Sequence, residues 1–82
     1  MPQRLRRLSA REVLKALKGF GFEVVATRGS HAKLRRVTDA GETQTLTLPL
    51  HKQLDLGTVR AIYRQASRFV PESDLKTWFY GD

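Results

Sequence analysis

Two runs of alternating polarity, residues 22–27 and 31–35, flank the pair Gly29-Ser30, with Arg28 before the pair and His31 after it. So short a joint between two strand-like runs predicts an antiparallel hairpin. In the first run Phe22, Val24 and Ala26 share one face and Glu23, Val25 and Thr27 the other, which predicts a half-buried strand. In the second run Ala32 and Leu34 point one way and His31, Lys33 and Arg35 the other. A histidine therefore stands at the mouth of a basic strand face.

A third run follows the turn-like Asp39-Ala40-Gly41-Glu42. Between residues 44 and 50 it sets Leu46, Leu48 and Leu50 on one face and Thr45 and Thr47 on the other, with Pro49 ending the strand. The three runs predict an antiparallel meander with one apolar face for helices and one polar face that carries His31. Helices are expected before and after it in the chain. Ser9-Ala10-Arg11-Glu12 has the form of a capping box, Leu8 and Val13 can staple it, and Val13, Leu14, Leu17 and Phe20 recur at helical spacing. Gly19 suits a left-handed cap. Gly57-Thr58 can open a second helix with the stripe Val59, Ile62, Tyr63, Ala66 and Phe69, while Arg60, Arg64 and Arg68 lie on another side. Pro71 interrupts it, and a short helix from about Glu72 offers Leu75, Trp78 and Phe79 to the core. The expected class is α+β, ordered α-β-β-β-α-α, as a single domain over residues 1–82 with helices on one sheet face. Phe22, Val24, Leu46, Leu48, Ile62 and Trp78 are read as core.

Fifteen Lys plus Arg against eight Asp plus Glu give a net charge of +7, which favours a polyanionic partner such as RNA, DNA or an acidic protein. The absence of cysteine removes disulfides, thiolate metal sites and a cysteine nucleophile. No apolar run approaches membrane-spanning length and no signal-like region follows the basic N-terminus, so a cytoplasmic location is expected. His31 and His51 lack the carboxylate or cysteine partners that complete a usual ligand set, so no metal and no small-molecule cofactor is expected. Ser30 and His31 are neighbours on a strand and point apart, which disfavours a nucleophile–base pair.

Three ordered blocks carry a resemblance. Leu8-Ser9-Ala10-Arg11-Glu12-Val13 with Gly21-Phe22, then Arg28-Gly29-Ser30-His31, then Pro49-Leu50-His51-Lys52 with Gly57-Thr58-Val59-Arg60-Ala61-Ile62, resemble the HicA family of toxins over nearly the whole chain. Gln53 stands where an acidic residue is common, Val59 replaces the usual leucine, and the family's basic tail of the second helix continues here into an aromatic end, Trp78-Phe79-Tyr80. The resemblance implies a fold like the double-stranded RNA-binding domain. It also implies a messenger-RNA interferase in which the histidine of the Gly-Ser-His element, here His31, is catalytic, and a HicB-type antitoxin as protein partner.

The chemistry so implied needs few parts. RNA is cut without a metal when its 2′-OH attacks the adjacent phosphate, if a proton is removed, phosphoryl charge is stabilised and the leaving 5′ oxygen is protonated. An imidazole exchanges protons near neutral pH and can cover the first or the last task. Arg28, Lys33 and Arg35 are candidates for the phosphate, Gly29 and Ser30 permit close backbone approach, and Lys52 is a further RNA-contact candidate. A lone strand histidine is more often simply solvated than functional; the resemblance reverses that reading of His31. His51, at a strand end, reads as a structural or partner-contact residue. Arg60, Arg64 and Arg68 are equally a solvated helix face or a grip for phosphates or an acidic antitoxin. The competing class is a non-catalytic RNA-binding module of the same fold. A helix-turn-helix DNA reader is disfavoured because three strands separate the strongest helices.

Overall fold

The computed structural model describes residues 3–81. Its elements in chain order are β1 (Arg4–Leu5), α1 (Ala10–Gly19), β2 (Glu23–Arg28), β3 (His31–Val37), β4 (Thr43–Pro49), α2 (Leu56–Ala66), α3 (Glu72–Phe79) and β5 (Tyr80–Gly81). Strands β2, β3 and β4 form an antiparallel sheet in sequence order, the α+β arrangement expected of a double-stranded-RNA-binding-domain-like fold. A second pairing was not anticipated: β1 and β5 join antiparallel, Leu5 opposite Tyr80, and tie the two ends of the chain together. Two-residue strands are too short to show a period, and their pairing spans almost the whole chain.

Helix α1 begins as its sequence dictates. The Ser9 hydroxyl accepts from the Glu12 amide at 3.1 Å and the Glu12 carboxylate accepts from the Ser9 amide at 3.0 Å. Its end differs from expectation. Gly19 is the last helical residue, and the left-handed position falls on Gly21 at φ 95°. The Phe22 amide donates to the Leu17 carbonyl and the Gly21 amide to the Lys18 carbonyl, the two bonds of a Schellman motif. Leu17 and Phe22, which that motif brings together, are both fully buried. Helix α2 starts at Leu56, earlier than Gly57, because Asp55 caps it by accepting from the Thr58 amide at 2.7 Å.

The core lies between the helices and the even-numbered face of β3 and β4. Ala32, Leu34, Leu46 and Leu48 meet Val13, Leu17, Val59, Ile62, Leu75 and Phe79 there. Burying each of the larger of these side chains is worth roughly 1.5–3 kcal/mol against leaving it in water. Strand β2 stands outside this core. All six of its residues are exposed, and the register with β3 shifts between Val24 and Ala26. The shift is a bulge at Val25: Val24 stays opposite Leu34, but beyond the bulge Ala26 falls opposite Lys33 on the polar face and Thr27 opposite Ala32, reversing the alternation expected of them. Val24 and Trp78, both read as core from the sequence, are corrected to surface residues at 39% and 37% exposure, Val24 because β2 is the edge strand and Trp78 because Leu75 and Phe79 take the buried face of α3. Phe22 does reach the core, from the loop before the strand.

Arg36 closes the end of the core farthest from the β2–β3 turn. It is half-buried, on the face of Leu34, with its guanidinium carbon 4.7 Å from the Phe22 ring centroid. Its nitrogens donate to Gln44 Oε1 at 2.8 Å, the Phe20 carbonyl at 2.9 Å and the Phe69 carbonyl at 2.8 Å. One side chain thereby joins β3 to β4, to the end of α1 and to the turn after α2.

Candidate nucleic-acid interface

The β2–β3 connection has two central residues, Gly29 and Ser30, between the paired residues Arg28 and His31. Gly29 has φ 58° and Ser30 a negative φ, the combination of a II′ turn, whose first position favours glycine. The Ser30 carbonyl accepts from the Leu50 amide, which fastens the turn to the end of β4. His31 is consequently flanked by Arg28 on one neighbouring strand and Pro49 on the other. Its side chain is exposed on the polar face.

The same face carries Lys33, between Ala26 and Thr47, and then Arg35, between Glu23 and Thr45. With a strand rise of ~3.3 Å per residue, Lys33 lies about 7 Å from His31 along the strand and Arg35 about 13 Å. Glu23 opposite Arg35 offsets charge at that end, so positive potential concentrates around Arg28, His31 and Lys33. Lys52 is exposed in the segment between β4 and α2, and borders neither cleft beside His31.

Both long helices aim their N-termini at this end of the sheet. The Ala10 amide at the start of α1 donates to the His51 carbonyl at 3.3 Å. The Leu54 amide, just before α2, donates to the Leu8 carbonyl at 3.1 Å. The partial positive charge of each terminus adds to the cations of the sheet. The carboxylates at the two helix starts temper it: the Ser9 backbone and side-chain hydrogen bonds hold Glu12 below its usual range, and the Thr58 amide does so for Asp55.

His31 forms the ridge between two clefts. One, of ≈ 460 Å³, is bordered by Arg28 and Lys33 and reaches Ala26 and Thr27. The other, of ≈ 440 Å³, runs from Pro49 along the start of α2, past Asp55, Thr58 and Ala61 to Gln65. Gln65 also guards the outer edge of β4. Its side-chain amide spans the Thr47 backbone, accepting from the N–H and donating to the carbonyl, both at 3.4 Å. This second cleft was missed from the sequence, where Asp55 and Gln65 carry no signal beyond helix capping and a polar helix position. Among the described residues no three His, Asp or Glu side chains cluster so as to hold a metal ion.

An α+β sheet with helices on one face and an open, cationic opposite face defines a small basic protein of double-stranded-RNA-binding-domain-like fold. The family described as "HicA toxin of bacterial toxin-antitoxin" matches residues 10–67, which include α1, the sheet with its Gly-Ser-His turn, and α2. The chain belongs to the HicA toxin family and is the toxin of a toxin-antitoxin system. Membership implies an antitoxin as its partner. Comparisons with curated proteins and with solved structures gave no significant match. No helix among the described residues is long and apolar enough to cross a membrane.

Proposed function

We propose that this toxin is an endoribonuclease, an mRNA interferase that cuts transcripts in the cytoplasm and so stops translation and growth. The observation that carries the reading is the pairing of Arg28 with His31 across a two-residue turn on an open cationic face. In the reaction the ribose 2′ oxygen bonds to the adjacent phosphorus and the bond from phosphorus to the 5′ oxygen breaks, leaving a 2′,3′-cyclic phosphate. His31 carries one of the two proton transfers. Arg28 and Lys33 hold the phosphoryl oxygens, Arg28 by a two-pronged contact that lysine does not offer. Asp55, the one carboxylate lining the two clefts, stands on the α2 side away from the phosphate, so solvent supplies the remaining proton transfer. No metal is required. A HicB-type antitoxin is the protein that blocks this face.

The test is inducible expression of the native chain beside His31→Ala and His31→Gln, scored for growth arrest and transcript loss, with purified protein assayed on RNA and on its 2′-deoxy analogue. Arrest, cyclic-phosphate ends and activity that persists in chelator are expected from the native chain only, and no cutting of the deoxy strand. A His31→Ala protein that degrades RNA at the native rate sinks the proposal. RNA binding without product, unchanged by loss of His31, points instead to the non-catalytic RNA-binding module.

A further inference from the structure

The two clefts that meet at His31 are similar in size and opposite in character. Toward the hairpin the ionisable walls are Arg28 and Lys33. Toward α2 the ionisable wall is Asp55, and the surface between is set by Pro49, Thr58, Ala61 and Gln65. A nucleotide has the same asymmetry. With its ribose at the ridge, the phosphate belongs on the cationic side, because the Asp55 carboxylate repels it from the other. The base is left facing the α2 cleft, where Pro49 and Ala61 offer apolar surface to its flat face and polar groups ring its edge.

Resting on the ribonuclease reading above, we infer that the cleft between β4 and α2 is a nucleobase subsite in which Asp55 selects bases that present an amino group, and disfavours uracil. Asp55 Oδ1 accepts the Thr58 amide at 2.7 Å, so the carboxylate is held in place by the helix start. A Cβ at Gly57 would stand 3.3 Å from that same oxygen, so any side chain there would push the carboxylate aside by a few tenths of an ångström. An ionised carboxylate has about four lone-pair positions and no donor, so it retains capacity for N–H groups beyond the cap. Guanine, adenine and cytosine each present an amino group on the Watson–Crick edge. Uracil presents one N–H flanked by two carbonyls, which a carboxylate repels.

The experiment digests a random-sequence RNA pool with the full chain and with Asp55→Asn, and sequences the ends formed. Asparagine caps a helix as well as aspartate does, so the variant is expected to fold, and equal melting temperatures check it. At the nucleotide whose 2′ oxygen attacks the phosphorus, the native chain is expected to favour guanine, adenine and cytosine over uracil by about tenfold. Asp55→Asn, which adds a donor, narrows that ratio to about threefold or less. Equal use of all four bases by the native chain, a preference for uracil, or a preference that Asp55→Asn leaves intact overturns the subsite. If the native chain cuts nothing in the pool, the ribonuclease reading fails first, and the subsite with it.

Discussion

Arg28 and His31 are the last cross-strand pair of the β2–β3 ladder, with only Gly29 and Ser30 between them. Side chains directly opposite on antiparallel strands stand ~4.5–5.5 Å apart at Cβ, so cation and imidazole reach one small ligand together. Neither side chain is needed to fill the core.

Replacing His31 with Ala is expected to lower RNA cleavage by about 10²- to 10⁴-fold, the range for a positioned acid or base. The melting temperature is expected to stay that of the native chain, since the residue is exposed. Cleavage kinetics beside a thermal melt read both.

Gly29 has φ 58° and a Cβ built there meets no atom within 4 Å, so a substitution is penalised through the backbone alone. Gly29→Ala is expected to cost ~1–2 kcal/mol in urea denaturation. Gly29→Asn costs less, because asparagine is among the residues that primed turns accept. If the two variants are equally stable, the turn is not of the II′ type described.

Arg35 and Arg36 are neighbours with opposite fates. Arg36→Ala removes three hydrogen bonds and leaves the Phe20 and Phe69 carbonyls without that partner, a loss on the order of 2–3 kcal/mol. Arg35→Ala, on the solvated face, should stay within about 0.5 kcal/mol of the native chain. Urea midpoints of the two variants decide it.

Binding to a 2′-O-methyl RNA, which lacks the attacking hydroxyl, should weaken with salt by about 0.7 in log–log slope per phosphate contacted. Arg28→Ala and Lys33→Ala should each flatten that slope by about one such step. Arg35→Ala leaves it unchanged, because Glu23 sits across from it. A slope insensitive to all three would place the RNA elsewhere on the molecule.

The caps make stability depend on acid. Glu12 is held below its usual range chiefly by the Ser9 amide and Asp55 by the Thr58 amide, so both bind protons less readily folded than unfolded. Their contribution is present above the unfolded carboxylate range and is lost as pH falls through the lower folded values. Stability is therefore expected to decline from about pH 5 toward about pH 2, and Glu12→Gln with Asp55→Asn should shallow that decline in urea midpoints taken across the range.

Local patterns settled much of this protein in advance. The capping box at Ser9, the Gly29-Ser30 turn, the alternation that exposes His31, Lys33 and Arg35, and the stripe of α2 as far as Ala66 each depend on residues a few positions apart and stand in the structure as the sequence predicts, while Phe69 falls in the turn beyond the helix. The family resemblance is likewise carried by local blocks, and the family match bears it out. Where the reading failed, distant parts of the chain decided. Val24 alternates properly, yet β2 is an edge strand with a bulge, beyond the cover of the helices. Trp78 has helical spacing, but Leu75 and Phe79 take the buried face of α3. Arg36 looks like another surface cation until α1, β4 and the turn after α2 bring their acceptors to it. The α2 cleft arises the same way, since Asp55 and Gln65 meet the His31 ridge only after the chain has folded back. Sequence periodicity states which way a side chain points; what stands opposite it is fixed by the packing of elements that the period does not relate.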